Sequence, residues 1–264
     1  MTAPNISNPT HPAAAMNQVR LPRTAALGPG LGGQPRLLID APAGAAEIYL
    51  HGATLTSWVP RGGSEVIFTS RQAVFDGSTA IRGGIPLCLP EFGVGINGDA
   101  VPKHGWARIA PWQLRMVAST DDGGVRALLS VSRDHLTALY EVEIGETLRL
   151  GLSLRNDGNA PRTVEAAAHT YLSVHDVTAS LISGLAGASY SDNLAHSPRE
   201  AHRVQDGDVK ISGPVDRIYD SAEPVAVTDP GHERTIHVDK LNAPSTIVWN
   251  PWSTYSAPLP DMAD

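Results

Sequence analysis

The chain has 264 residues, 42% hydrophobic and 18% charged, which is enough apolar content for a sizeable core and excludes disorder of the whole chain. Its formal net charge of -7 argues against general nucleic-acid binding, which needs a basic face, although a few local arginines can hold an anion at any net charge. The single cysteine, Cys88, excludes an internal disulfide and fits a reducing compartment.

Residues 1–33 are rich in Ala, Pro, Asn and Gly and lack a basic region followed by an apolar run, so they read as a loose N-terminal arm rather than a secretory signal. No stretch approaches the roughly 20 apolar residues of a membrane helix. A soluble cytoplasmic protein is expected, with neither a membrane nor a nucleic acid as partner. Beyond residue 35 the dominant pattern is alternation with period two. Gly124–Arg133 alternates through Val125, Ala127, Leu129 and Val131, and Leu148, Leu150, Leu152 and Leu154 put one aliphatic face on a second strand. Turn signals separate such runs: Asp122-Gly123-Gly124, Asn156-Asp157-Gly158-Asn159, Gln205-Asp206-Gly207-Asp208 and Asp229-Pro230-Gly231. With 21 prolines and 25 glycines, long helices are hard to place. The pattern predicts an all-β antiparallel sandwich over residues 34–264, as a single unit.

Phe75–Arg108 departs from alternation. Its prolines remove ladder donors, so it reads as a structured loop system, where ligand sites tend to lie. Three segments carry chemistry: Ala80-Ile81-Arg82-Gly83-Gly84-Ile85-Pro86, Pro102-Lys103-His104-Gly105-Trp106-Ala107-Arg108, and Ala168-His169-Thr170-Tyr171-Leu172. Arginine presents a planar fork of donors to phosphate oxygens, and histidine gives and takes protons near neutral pH. Each residue alone has a blander fate: a solvated arginine, or a hydrogen-bonded structural histidine in the apolar strand Val164–Val174. His169 and His175 are six residues apart, about 20 Å along a strand, too far to share a metal.

At these positions the sequence resembles the glucose-6-phosphate 1-epimerases (hexose-6-phosphate mutarotases) of the aldose 1-epimerase superfamily. The resemblance runs from Leu50-His51-Gly52-Ala53-Thr54-Leu55-Thr56-Ser57-Trp58 through Phe75-Asp76-Gly77, the Arg82 and Arg108 segments, Phe92-Gly93, His169-Thr170-Tyr171 and Val215-Asp216-Arg217-Ile218-Tyr219 to Val248-Trp249-Asn250-Pro251. It implies a galactose mutarotase-like antiparallel β-supersandwich and interconversion of the α and β anomers of a hexose 6-phosphate. No metal or organic cofactor is implied, and a monomer is expected. By the same resemblance His169 corresponds to the catalytic histidine. Arg82 and Arg108 correspond to substrate-binding arginines, Asp216 to a sugar-binding carboxylate, and His104 to a residue lining the site. Lys103 replaces the family's usual Gln and offers a further phosphate contact or a narrower substrate choice.

A hemiacetal opens when the C1 hydroxyl loses a proton and the ring oxygen gains one. The resemblance makes His169 the acid. It makes the base a Glu on a strand after the Trp-Asn-Pro segment, whereas this sequence runs from Ser256 to Asp264 and ends, which reads as a C-terminal truncation. Two alternatives therefore stand beside the epimerase: a non-catalytic sugar-phosphate-binding protein on the same fold, and an aldose 1-epimerase acting on unphosphorylated sugars, which the paired arginine motifs disfavour.

Overall fold

The computed structural model describes residues 19–197 and 201–262. Every ladder between its strands is antiparallel, and the one α-helix that lies wholly within the described residues is short, α1 at Trp252–Ser256. None of their helices is long and apolar enough to cross a membrane. The all-β expectation holds. The chain forms two compact units, one running to Thr69 and resuming over Ala73–Leu172, the other made of Ser70–Gln72 and the chain from Ser173 onward. No compositional linker marks any of the three crossings, so the division was not visible in the sequence.

The first unit contains two four-stranded meanders. One joins β1 (Ala25–Pro29), β2 (Pro35–Ala41), β3 (Gly44–Tyr49) and β4 (Thr54–Pro60) in chain order. Strand β1 lies inside the stretch expected to be a loose arm. Ala25 pairs with Ile39 and Pro29 with Pro35, so residues 25–29 are corrected to strand, and residues 1–18 of that arm lie outside the described residues. After the short strand β5 (Leu87–Cys88), the second meander joins β6 (Gln113–Ser119), β7 (Val125–Arg133), β8 (Leu136–Ile144) and β9 (Leu148–Asn156), again in chain order.

The alternating residues of both meanders share one core. Leu37, Ile39, Ala46, Ile48 and Leu55 pack in the same cluster as Val125, Ala127, Leu129, Ala138, Tyr140, Val142 and Ile144. Each fully buried Leu, Ile or Val there contributes about 1.5–3 kcal/mol. On β9 the predicted aliphatic face exists, but Leu148, Leu150 and Leu152 are only partly buried and Leu154 is exposed. The cause is position: β9 is the edge strand of its sheet and has a neighbour on one side only.

Strand β10 (Ala167–Ala168) closes the first unit by pairing with β5. In the second unit, β11 (Leu181–Ser183), β14 (Val209–Lys210), β16 (Val225–Asp229) and β17 (Arg234–Val238) form one sheet. Strands β12 (Ser189–Asp192), β13 (His202–Val204), β15 (Val215–Tyr219) and β18 (Thr246–Asn250) form another. Their core includes Leu185, Tyr190, Val209, Val215, Tyr219, Val225 and Val248.

Candidate active site

The site grows from an irregular antiparallel pairing in the first unit. Past the two residue pairs of β5 and β10, the His169 N–H donates to the Pro86 carbonyl at 3.0 Å and the Tyr171 N–H to the Gly84 carbonyl at 2.9 Å. On the other side, the Phe68 N–H donates to the Tyr171 carbonyl at 2.9 Å, and Ile67 bridges Leu172. The predicted strand Val164–Val174 is thus regular only at Ala167–Ala168. Pro86 and Pro90 flank β5 and supply no N–H, so the ladder cannot extend in either direction. His169 and Tyr171, two residues apart in this extended segment, share a face.

Arg82 enters from the opposite side through Gly83 and Gly84, whose φ values of 100° and 70° are left-handed. A Cβ on Gly84 would lie 2.5 Å from the Leu55 carbonyl oxygen, which is why glycine stands there. The Arg82 guanidinium donates to the hydroxyl of Tyr171.

His104 sits in a tight loop with φ of 66°, followed by Gly105 at 70°. A Cβ on Gly105 would fall 2.2 Å from the Leu89 carbonyl oxygen. Two bonds to Gly93 fix the histidine: its N–H donates to the Gly93 carbonyl at 2.7 Å, and the Gly93 N–H donates to Nδ1 at 3.1 Å. Because Nδ1 accepts, the neutral ring carries its proton on Nε2. Phe92 packs edge-on at 5.0 Å between centroids. Burial first, then the charges of Arg108, His169, Lys103 and Arg82, lower the ring's pKa from 6.5 to about 4. It is therefore a fixed neutral donor at physiological pH.

Arg108 lies in a single 3-10 turn, Ala107–Ile109. Trp112 donates its indole N–H to the Ala107 carbonyl at 2.9 Å, and the Ala107 N–H donates to the Leu89 carbonyl at 3.0 Å. The Arg108 guanidinium donates to the Lys103 carbonyl at 2.8 Å, while its buried Nε has no partner among the described residues. Burial lowers its pKa, and Arg82 is close enough to lower it further. Cys88 is 1% exposed and burial pushes its thiol up to about 11, as expected of a small core residue.

Five rings connect these groups in a row. Phe68 stacks on Tyr171 at 6.5 Å, Tyr171 on His169 at 4.8 Å, His169 meets His104 edge-on at 6.2 Å, and His104 meets Phe92. Of the residues singled out from sequence, Arg82, His104, Arg108 and His169 thus come together in the first unit. Lys103 is exposed and joins the cluster through its backbone. Asp216 belongs to β15 of the second unit, where its carboxylate accepts from Asn193 Nδ2 at 2.9 Å. Tyr171 and Gly93 were quoted in motifs without a role; the shared face of His169 and Tyr171 was a period-two signal that could have placed the tyrosine. Among the described residues no group of three or more His, Cys, Asp or Glu side chains is placed to hold a metal. The cluster can bind an anion beside two imidazoles, that of His104 held neutral.

Residues 35–264 match the family model described as aldose 1-epimerase. A protein of Cenchrus ciliaris named "putative glucose-6-phosphate 1-epimerase" is 32% identical over 237 residues, 83% of this chain and 70% of the relative. A protein of the same name from Escherichia coli strain K12 is 30% identical over 238 residues, 86% of this chain and 78% of the relative. The crystal structure of a "putative mutarotase" from Salmonella typhimurium matches with a TM-score of 0.83 and 28% identity, covering 92% of this chain and 83% of that one. A galactose mutarotase-like protein from Clostridium acetobutylicum, 11% identical with a TM-score of 0.70 over 86% of this chain and 84% of that one, shares the fold.

Proposed function

The chain belongs to the aldose 1-epimerase family, and from that premise we propose that it interconverts the α and β anomers of a hexose 6-phosphate, glucose 6-phosphate by preference, as a cytoplasmic monomer without a cofactor. The observation that carries this reading is the pair Arg82 and Arg108 held beside His104 and His169. In a hexose 6-phosphate, C5 bears both the ring oxygen and C6. The acid that protonates the ring oxygen and the clamp that holds the phosphate must then lie within about one sugar ring of each other. Two guanidiniums that oppose each other's charge suit an anionic ligand better than a neutral sugar.

In this reading Arg82 and Arg108 take the phosphate oxygens, and the exposed ammonium of Lys103 adds a contact at the rim. His104 donates Nε2–H to a sugar oxygen. His169 gives a proton to the ring oxygen as C1–O5 breaks, while the C1 hydroxyl loses its proton to a base, a carboxylate in the family the sequence resembles. The aldehyde rotates about C1–C2, and closure returns the proton to His169 with the other face of C1 attacked.

The test is calorimetric titration of the wild-type protein and Arg82→Ala with glucose 6-phosphate and with glucose. A charge-assisted phosphate contact contributes roughly 1.5–3 kcal/mol, about 10- to 150-fold in affinity. Loss of that size for the phosphate ester alone supports the reading. Equal loss for both sugars contradicts it.

A further inference from the structure

We propose that Tyr171 couples the phosphate clamp to the acid, so that filling the clamp orients His169. The inference rests on the function proposed above and names a positioning residue within it. Tyr171 is joined to both halves of the site. Its ring lies 4.8 Å from that of His169 with the planes 23° apart, and its hydroxyl accepts a hydrogen bond from Arg82. Its backbone is pinned from both sides, donating to Gly84 at 2.9 Å and accepting from Phe68 at 2.9 Å, and the Phe68 ring backs it at 6.5 Å. The main chain therefore stays in place while the ring responds to what its hydroxyl touches. Burial raises the phenol's pKa, against the lowering effect of Arg82 and Arg108, so the group stays a neutral phenol at physiological pH.

The physical argument is a competition for Arg82. Without ligand, part of the guanidinium's donor fork is spent on the Tyr171 hydroxyl. A phosphate is the stronger acceptor and draws the fork toward itself. The phenol then follows or releases the guanidinium, and either change alters the surface on which the His169 imidazole rests. An acid must be within hydrogen-bond reach of its oxygen, so a small change of ring angle changes the rate of the proton step. The 6-phosphate would in this way speed turnover as well as tighten binding.

The experiment uses the full chain, inorganic phosphate as probe, and the imidazole NMR signals of His169, identified by their loss in His169→Gln. Tyr171→Phe keeps the stack and both backbone bonds and removes only the hydroxyl. Phosphate should shift the His169 signals of the wild-type protein. In Tyr171→Phe it should bind at least as tightly, because the hydroxyl no longer competes for Arg82, and at saturation produce less than half of that shift. A full His169 shift at saturation in Tyr171→Phe overturns the coupling while leaving the clamp intact. Failure of phosphate to bind the wild-type protein in an Arg82-dependent way overturns the clamp and the coupling with it.

Discussion

The backbone N–H of Gly93 points at Nδ1 of His104, 3.1 Å away, and so decides which nitrogen of that ring faces outward with a proton. Burial first, and then the positive charges around it, keep the folded ring from taking a proton until near pH 4 instead of 6.5, and protonating Nδ1 would break the bond to Gly93. In the unfolded chain the same histidine is protonated near 6.5. The unfolded state therefore binds more protons across that window, and the stability contributed by the neutral ring is lost as pH falls from about 6.5 to about 4. Urea midpoints at pH 7 and pH 4.5 should show a smaller drop for His104→Asn, which tolerates the left-handed backbone and does not titrate. Equal drops in both proteins would contradict this assignment.

Arg108 is one of the charges that hold His104 neutral, second only to burial. Arg108→Leu should raise the His104 pKa above about 4 toward the ordinary value, followed by NMR titration of the ring carbons. The same variant should lose roughly tenfold or more in affinity for glucose 6-phosphate. An unchanged His104 pKa would place the two side chains farther apart than described.

Gly105 has both a left-handed backbone and no room for a side chain, with the Leu89 carbonyl oxygen 2.2 Å from where a Cβ would stand. Gly105→Ala should cost about 3 kcal/mol or more, combining conformational strain with overpacking against backbone. Gly207 shares the left-handed φ, at 63°, but has nothing within 4 Å of its Cβ position, so Gly207→Ala should cost only about 1 kcal/mol. Chemical denaturation of the two variants side by side reads the difference as the steric part.

Cys88 is buried in β5 with its thiol pushed up to about 11. A thiol-specific reagent such as 5,5′-dithiobis(2-nitrobenzoate) should label it only when the protein unfolds, at a rate that follows denaturant concentration. Rapid labelling of the native protein at pH 7 would contradict the burial.

The parts of the fold that were legible in the sequence are those in which local pattern and tertiary role agree. Strand β7 buries Val125, Ala127 and Leu129, three of the four residues whose alternation announced it, with Val131 partly buried, and the Asp122-Gly123-Gly124 signal turns the chain into it, with the Thr120 N–H donating to the Gly124 carbonyl. Strand β1, by contrast, reads Ala-Ala-Leu-Gly-Pro, with no alternation to detect; only its pairing with β2 makes it a strand. The site divides in the same way. Arg82, His104, Arg108 and His169 stood out because their residue types and motifs carry chemistry. The contacts that define their state come from elsewhere: the Gly93 N–H on His104, and the Tyr171 ring and hydroxyl between His169 and Arg82. Those are products of loop geometry and of a short irregular ladder, which no one-dimensional period encodes.

The central claim is that the phosphate of a hexose 6-phosphate is held beside the acid that opens the ring. It is tested most directly by two-dimensional NMR exchange between the C1 protons of the α and β anomers, with glucose 6-phosphate and glucose run in parallel on the wild-type protein, Arg82→Ala and His169→Gln. The account predicts anomer exchange of glucose 6-phosphate above the protein-free rate, little or none for glucose, and loss of the acceleration in both variants. Acceleration of glucose equal to that of the phosphate ester, or acceleration that survives His169→Gln, would contradict it.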